Sequence, residues 1–355
     1  MPTLFARYRK YLGHKQQLPY HGLYEGNTPL VRSKAICDEL GENINLFFKQ
    51  ENVNPSYSFK DRGVSNAVAA ARYNARPGIV CCSAGNLGVS CAMYAARSNI
   101  KAVVLIPKLF ANEEKIKRIQ MYGASVIILD GDVDSGIKMA YEFSDKYKFD
   151  VVSHKNEFYC AGLKTMAFEI CDQLGRAPDI FCAGVGSGAL LGYAWKGFKQ
   201  YYAEGKIDSL PVMIGIEASA VAGPARYSSG QGFAGTSILN EVSISRDENS
   251  VIDEAIIARD ESSGYISAVN DEQAISLYQL MTKKEALIAD ISSCVSVAGL
   301  YKLKSDGVDF DNQLIIAVIS GASDSSEIMY TEPHSLSRIK VIKPSLGDLE
   351  SELVL

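Results

Sequence analysis

The sequence of 355 residues lacks any apolar run long enough to cross a bilayer, and its first residues lack the apolar core of a secretory signal. It has no cluster of basic residues, and its formal net charge of -5 argues against a nucleic-acid partner. We therefore expect a cytoplasmic protein that binds neither a membrane nor nucleic acid. The 47% of hydrophobic and 22% of charged residues are typical of a soluble globular enzyme, and the length allows two domains.

Disulfide and metal-binding patterns are also missing. The eight cysteines include no CxxC pair, and the four histidines share no metal-ligand spacing. Most cysteines lie in apolar runs, among them Cys81, Cys82 and Cys182. Because a free thiol behaves as a small hydrophobic group, we expect buried, reduced cysteines and neither a disulfide framework nor a metal site.

Short, continuously apolar segments alternate with helical patterns along the chain. The predicted strands are Leu46–Gln50, Ile79–Cys82, Ala102–Pro107, Ser125–Leu129, Ile180–Ala183, Val212–Ile216 and Leu314–Ile319. The predicted helices are Leu87–Arg97, Glu113–Met121, Gly136–Tyr147, Leu190–Tyr202, Asp271–Lys283 and Ser293–Lys304. Strands that are apolar throughout are buried on both faces, so the pattern predicts an α/β fold of mostly parallel sheets flanked by helices. The Ser- and Gly-rich stretch 227–264 is predicted to be a loop with short elements.

The first segment of chemical interest is Asn54–Gly63, in which Lys60 follows an Asn-Pro pair and several small polar residues. This pattern predicts that a helix begins here and that the amine of Lys60 lies at its N-terminus. Because an amine must lose its proton before it attacks an aldehyde, burial near a cationic helix terminus favours Lys60 as a nucleophile. An ordinary surface lysine in a first helical turn fits the same segment when it is taken alone.

Two further segments each join a predicted strand to a predicted helix. Residues 82–88 place Asn86 and several backbone N–H groups at a helix N-terminus, which suits a carboxylate or a phosphate; a plain capping turn fits as well. Residues 184–192 carry glycines at alternate positions and predict a cradle for a phosphate. The same glycines match the loose G-x-G-x-x-A dinucleotide pattern, so both a mononucleotide-sized cofactor and a nicotinamide cofactor remain open.

A fourth segment ends the apolar run 315–319 with Ser320 and Gly321. Such a serine places a hydroxyl at the carboxyl edge of a sheet, where ligands of α/β proteins bind, although strand-end serines are also common turn residues. Together the four segments form a set: a nucleophilic lysine, an anion-binding loop, a phosphate cradle and a terminal hydroxyl.

With this set, the chain resembles the fold-type-II pyridoxal-phosphate enzymes, and within them the threonine synthases. The resemblance runs from about Arg7 to Ser326 and includes the blocks Glu25–Leu30, Ser58–Gly63, Tyr94–Arg97, Lys164–Ile170 and Trp195–Phe198. It implies a tryptophan synthase β-like fold of two domains: residues 1–75 with 151–355 as the large cofactor-binding domain, and 76–150 as the small substrate-gripping domain. It also implies pyridoxal 5'-phosphate as cofactor, a small amino acid as substrate, and a homodimer.

The resemblance also implies roles for individual residues. Lys60 would carry the cofactor covalently, Asn86 would bind its phenolic oxygen, and Ser320 would face its ring nitrogen. The cofactor's phosphate would be held by the backbone amides of Gly186, Ser187, Gly188, Ala189 and Leu190. The carboxylate of the substrate would be held by Ser83, Ala84, Gly85 and Leu87.

Some positions depart from the threonine synthase pattern. Tyr57 replaces a small residue, and His154 and Tyr159 stand where that pattern has a serine and an arginine that bind the substrate's phosphate. We include both as candidate substrate-binding residues. Since bidentate contacts from arginine are the strongest grip on phosphate, the exchange weakens the case for O-phosphohomoserine. The rear of the chain is more similar to cysteine synthases, in the segments Gly230–Phe233, Ile238–Leu239 and Glu285–Ser293.

The leading hypothesis is therefore a pyridoxal-phosphate-dependent lyase that removes the α-proton of an amino acid, eliminates a leaving group and adds a nucleophile. Threonine synthesis from O-phosphohomoserine is the nearest activity. The alternative is β-replacement on O-phosphoserine or O-acetylserine, as in cysteine synthases. Two other classes are weaker alternatives. A nicotinamide oxidoreductase explains neither Lys60 nor residues 83–88, and a non-catalytic binding protein on the same scaffold would not need to keep Lys60, Asn86 and Ser320 together.

Overall fold

The computed structural model describes residues 3–14, 22–41, 43–83, 85–220, 239 and 251–322. Its helices are α1 (Leu4–Tyr8), α2 (Ala35–Leu40), α3 (Lys60–Tyr73), α4 (Asn86–Arg97), α5 (Glu113–Met121), α6 (Val133–Tyr147), α7 (Glu157–Leu163), α8 (Thr165–Leu174), α9 (Ala189–Ala203), α10 (Ile252–Glu261), α11 (Asp271–Glu285) and α12 (Val295–Ser305). Its strands are β1 (Leu30–Arg32), β2 (Asn45–Gln50), β3 (Gly78–Cys82), β4 (Lys101–Pro107), β5 (Ser125–Leu129), β6 (Asp150–Val151), β7 (Ile180–Gly184), β8 (Val212–Ala218), β9 (Tyr265–Val269) and β10 (Leu314–Ile319).

The larger sheet has six strands in the order β1-β2-β10-β7-β8-β9. Every pairing in it is parallel except that of β1 with β2. Strand β10 lies at its centre, with Ile315 paired to Leu46 on one side and to Ile180 on the other. Because β10 is buried on both faces, its sequence is apolar throughout, as the parallel-sheet rule requires.

The smaller sheet has four parallel strands in the order β5-β4-β3-β6. Strand β3 is interior and almost wholly buried, whereas the edge strand β5 exposes Ile127 and Ile128. Helix α4 covers this sheet, and its first residues come directly after β3. The strand-to-helix turn of residues 82–88 therefore lies at the carboxyl edge of the smaller sheet.

Helix α3 runs beneath the site and is buried along most of its length. It meets α7 closely because glycine lies on both sides of the contact. A Cβ added to Gly162 would lie 2.1 Å from the carbonyl oxygen of Arg62, and one added to Gly63 would lie 2.6 Å from the ring of Tyr159. Any larger residue at either glycine would force the two helices apart.

The predicted fold class is confirmed: all seven predicted strands and all six predicted helices are present, with bounds that agree to within three residues. The expected loop over 227–264 contains the ten-residue helix α10, and its residues 227–238 and 240–250 lie outside the described part. The segment Gly230–Phe233 and the tail after Asp324 also lie outside it. Among the helices that the structure describes, none is long and apolar enough to cross a membrane.

Candidate active site

The start of helix α3 and the end of strand β10 are joined by backbone hydrogen bonds. The N–H of Phe59 donates to the carbonyl oxygen of Ser320 at 3.0 Å, and the N–H of Ala322 donates to that of Tyr57 at 2.9 Å. These bonds hold the two segments in a short antiparallel pairing. Lys60 and Ser320 are thus brought to one place at the carboxyl edge of the larger sheet.

Lys60 is the first residue of α3 and is partly buried. Its Nζ lies 4.4 Å from the ring centroid of Phe59, and its backbone N–H donates to Ser58 Oγ at 3.3 Å. The ring of Phe59 limits the access of water to the amine of Lys60. A lysine that acts as a nucleophile requires such a partly desolvated amine.

Asn86 reaches the same place from helix α4. A Cβ added to Gly321 would lie 3.1 Å from each of three atoms: Asn86 Nδ2, Asp290 Oδ2 and the carbonyl oxygen of Tyr57. Gly321 therefore leaves the room that the asparagine side chain fills. The structure brings Lys60, Asn86 and Ser320 together, although they are far apart in sequence.

The hydroxyl of Ser320 has a neutral partner. Its Oγ lies 2.9 Å from Ser293 Oγ, which also accepts from the N–H of Gly321 at 2.8 Å. The N–H of Ser293 donates to the buried carboxylate of Asp290 at 2.6 Å. Ser293 and Asp290 were not predicted as site residues, although the segment that contains them was noted for its similarity to cysteine synthases.

The loop of residues 83–87 opens helix α4. The N–H of Ser83 donates to the carbonyl oxygen of Leu105, and the N–H of Gly85 donates to Ser83 Oγ at 3.2 Å. Among the described residues no side chain caps the helix at Gly85, so its first turn presents N–H groups to a ligand. Ser83, Gly85 and Leu87 are partly exposed here, and Ala84 lies outside the described residues.

The glycine turn of residues 186–190 lies between β7 and the fifteen-residue helix α9. Gly188 adopts a left-handed conformation with φ +87°, and a Cβ there would lie 2.6 Å from the carbonyl oxygen of Val251. No described side chain caps α9, which leaves its N-terminal amides and dipole available for an anion. Since β7 and β10 are parallel neighbours, this turn and Ser320 both lie at the carboxyl edge of the larger sheet.

A fully buried cluster of charges anchors α3 through Arg62, two residues after Lys60. Arg62 makes two hydrogen bonds of 2.8 Å to Glu51, and its Nη2 donates to Glu169 at 2.8 Å. Lys49 Nζ adds a bond of 2.6 Å to Glu169. Burial alone would raise the pKa of Glu169, but Arg62 and Lys49 hold this pKa well below its ordinary value. Both carboxylates are therefore charged and fully paired.

The structure places His154 and Tyr159 beneath α3. Tyr159 has no exposed surface, and its ring packs against Gly63, while burial raises the pKa of its hydroxyl well above the ordinary value. The ring of His154 is partly buried, 5.8 Å from that of Tyr159, and its carbonyl oxygen accepts from Cys160 Sγ at 3.1 Å. The structure thus does not bring Tyr159 to an accessible surface, whereas Lys60, Asn86 and Ser320 are partly exposed.

Three more residues near Lys60 were not predicted as site residues. Asp61 is fully buried and accepts a hydrogen bond from Ser90 on α4. The guanidinium carbon of Arg118, on α5, lies 4.7 Å from the ring centroid of Tyr57. Asp61 lies within the segment Asn54–Gly63, but the sequence assigns no role to it, to Ser90 or to Arg118, because their importance comes from contacts between separate elements.

These residues fit pyridoxal phosphate. The uncapped N-terminus of α9, with a glycine where a Cβ would collide, suits a dianionic phosphate. The amine of Lys60 suits an aldehyde, and the amide of Asn86 and the hydroxyl of Ser320 suit the polar atoms of an aromatic ring. The donors of the site match the groups of this cofactor.

Comparison with known proteins agrees with this donor set. The family model described as pyridoxal-phosphate dependent enzyme matches residues 22–321. The threonine synthase of Synechocystis sp. is 36% identical over 302 residues, covering 85% of this chain and 78% of that protein. The threonine synthase of Halalkalibacterium halodurans is 35% identical over 323 residues, covering 90% and 88%.

Among solved structures, threonine deaminase isoform 2 from Solanum lycopersicum is similar, with a TM-score of 0.71 and 23% identity over 93% of this chain and 92% of that one. Maize serine racemase has a TM-score of 0.72 and 18% identity over 88% and 93%. At these identities the likeness shows a shared fold.

Proposed function

Since the chain belongs to the family of pyridoxal-phosphate dependent enzymes, and is a lyase with the chemistry of elimination and replacement, we propose that it converts O-phosphohomoserine to threonine and phosphate. The observation that supports this best is the meeting of Lys60, Asn86 and Ser320 at one sheet edge, together with 36% identity to a threonine synthase.

The proposed roles of the cofactor-binding residues follow from their chemistry. Pyridoxal phosphate, when bound, withdraws electrons from the α-carbon of an amino acid. Lys60 holds this cofactor covalently between turnovers, and its amine takes the α-proton during turnover. Residues 186–190 bind the phosphate group, and Asn86 donates to the phenolic oxygen.

Ser320 is proposed to face the ring nitrogen. Its hydroxyl is neutral and is paired with another hydroxyl, that of Ser293. A neutral partner leaves the ring nitrogen less protonated than a carboxylate would, which favours elimination and replacement over transamination. The N–H groups of residues 83–87 are proposed to hold the carboxylate of the substrate.

We also propose a division of the chain into two domains and its assembly as a homodimer. Both sheets belong to one compact unit, residues 1–322. Residues 76–150, which carry the smaller sheet except for Val151, are proposed as the small domain, and residues 1–75 with 151–355 as the large domain. The family resemblance supports a homodimer, and the composition supports a cytoplasmic location.

A second candidate is β-replacement on O-acetylserine or O-phosphoserine. Its O-acetylserine form is favoured by Tyr159, which by the family resemblance stands in the place of a phosphate-binding arginine and is fully buried. A buried phenol supplies no positive charge to a substrate phosphate, whereas an uncharged acetyl group needs none.

The test is a titration of the purified protein, loaded with pyridoxal phosphate, against O-phosphohomoserine, O-phosphoserine and O-acetylserine in parallel. We expect the visible absorbance of the bound cofactor to respond to O-phosphohomoserine, with equal amounts of threonine and phosphate released. A response to a serine derivative alone would establish the second candidate. Lys60→Ala is the control, and turnover by this variant at the parent rate would refute the proposed role of Lys60.

A further inference from the structure

The carboxylate of Asp61 joins the loop that precedes Lys60 to helix α4, which begins at Asn86. Its Oδ2 accepts from the N–H of Ser56 at 2.7 Å, and its Oδ1 accepts from the hydroxyls of Ser56 and Ser90, both at 2.5 Å. Ser56 lies four residues before Lys60, and Ser90 lies one turn after Asn86 on α4. Asp61 itself directly follows Lys60 in the chain.

The three donors to Asp61 are neutral, which is unusual for a fully buried carboxylate. The neighbouring Arg62 is engaged by Glu51 and Glu169. Among the described residues, Glu25 and Cys91 interact electrostatically with Asp61, and neither of these two supplies a positive charge.

The protonation of Asp61 consequently changes near neutral pH. Burial, and to a smaller extent Glu25, raise its pKa to about 7, against the opposing effect of the serine donors. The carboxylate can accept all three donors, whereas a protonated carboxyl must donate through one oxygen. Only the charged carboxylate therefore accepts from all three donors at once; a protonated carboxyl has to donate to one of the serine hydroxyls instead of accepting from it.

From these contacts we propose that Asp61 is a positioning residue of the reaction: it fixes the helix of Lys60 against the helix of Asn86 through Ser56 and Ser90. The proposal rests on the proposed function, because it concerns the geometry of the same site. An error in the distance between two groups that act on one substrate lowers the rate of chemistry more than the affinity.

Two substitutions separate the parts of this tie. Ser90→Ala removes the link to α4 and leaves both contacts with Ser56. Asp61→Asn keeps the size of the side chain but cannot accept from all three donors: with its oxygen on the N–H of Ser56, its amide nitrogen must donate to the hydroxyls of Ser56 and Ser90. Ser65→Ala is the matched control, because Ser65 is also buried on α3 and its hydroxyl donates to the carbonyl oxygen of Arg62.

The experiment measures kcat, KM and their pH dependence for the cofactor-loaded variants. We expect Ser90→Ala to lower kcat about 10- to 100-fold with little change in KM. It should also move the neutral inflection of kcat to higher pH, because a donor that favours the charged carboxylate is lost. Asp61→Asn should abolish that inflection, and Ser65→Ala should change neither quantity.

An unchanged kcat and an unchanged inflection in folded Ser90→Ala would overturn the proposal, whether or not Asp61→Asn folds. If the parent protein turns over none of the three substrates, the proposed function fails separately. The pH dependence of the bound cofactor's absorbance then decides the inference: an inflection that moves in Ser90→Ala supports it, and one that stays overturns it.

Discussion

The guanidinium of Arg118 lies over the ring of Tyr57, with 4.7 Å between Cζ and the ring centroid. Nη2 of Arg118 also donates to the carbonyl oxygen of Ser56 at 3.4 Å. Tyr57 has a left-handed backbone with φ +65° and keeps 45% of its surface exposed. Helix α5, which follows the smaller sheet's strand β4, is thus attached to the loop that leads into Lys60.

We expect Arg118→Gln to raise the KM of an anionic substrate about two- to fivefold, since an exposed cation–π contact contributes about 0.5–1 kcal/mol. The loss of the cation also removes a positive charge from the mouth of the site. Steady-state kinetics at low and high salt would measure both effects. Tyr57→Phe keeps the ring and is the control; an equal rise of KM in that variant would contradict the explanation.

Gly188 and Gly205 allow a test of the phosphate cradle, because they lie at opposite ends of α9 and both have positive φ. An alanine at either position incurs the backbone strain of about 1–2 kcal/mol. Only at Gly188 would the added Cβ collide with backbone, at Val251 and Ile252, whereas nothing lies within 4 Å at Gly205. We therefore expect Gly188→Ala to weaken cofactor binding at least about tenfold, by equilibrium dialysis. Equal affinities of the two variants would refute this role for the turn.

The pKa of Asp61 gives the stability of the protein a defined dependence on pH. Because its pKa in the folded state is about 7, above its value in the unfolded chain, the folded state binds more protons between the two values. The contribution of Asp61 to the free energy of unfolding is therefore largest in acid. It falls as pH rises towards 7, by about 1.4 kcal/mol for each pH unit between the two pKa values.

Urea unfolding of the parent and Asp61→Asn at several pH values from 5 to 8 would measure this effect. We expect the difference in free energy between the two proteins to change in favour of the variant as pH rises, and to level off above pH 7. A difference that stays constant over this range would show that Asp61 does not titrate there.

The buried cluster of Arg62, Glu51, Glu169 and Lys49 predicts a large stability effect. Glu169→Gln leaves Arg62 and Lys49 with one negative charge between them, and an uncompensated buried charge costs about 3–5 kcal/mol. Chemical denaturation would measure the loss. Glu113→Gln breaks the exposed pair with Lys117 and should leave the free energy of unfolding unchanged within error. Similar losses in both variants would contradict the prediction.

The sequence was sufficient for the fold because the strands are buried on both faces. Leu314–Ile319 was predicted without error, since a fully apolar run between turns leaves little choice. Strand β9 was missed because its mixed, partly exposed residues Tyr265–Val269 show no clear pattern. Helix α10 was missed for a similar reason, since it follows a Ser- and Gly-rich stretch that dominated the local pattern.

The site was predictable only where chemistry and local sequence coincide. Lys60, Asn86 and Ser320 each end or begin an element, so each could be identified from its own segment. Ser90, Ser293 and Arg118 could not, because the role of each depends on a partner in another element, even though the segment of Ser293 is similar to cysteine synthases. Such relationships exist only in three dimensions.

The charge cluster under α3 also limits how a chain like this one can diverge. Arg62 donates hydrogen bonds to Glu51 and Glu169, so a single substitution at any of the three leaves a buried charge without its partner. Tyr57, by contrast, is 45% exposed, and its replacement would free only the partly exposed Arg118 and leave no buried charge without a partner. Substitutions at exposed positions such as Tyr57 can therefore alter substrate selection one at a time. The position of Lys60 depends on the buried cluster and can change only if several of its residues change together.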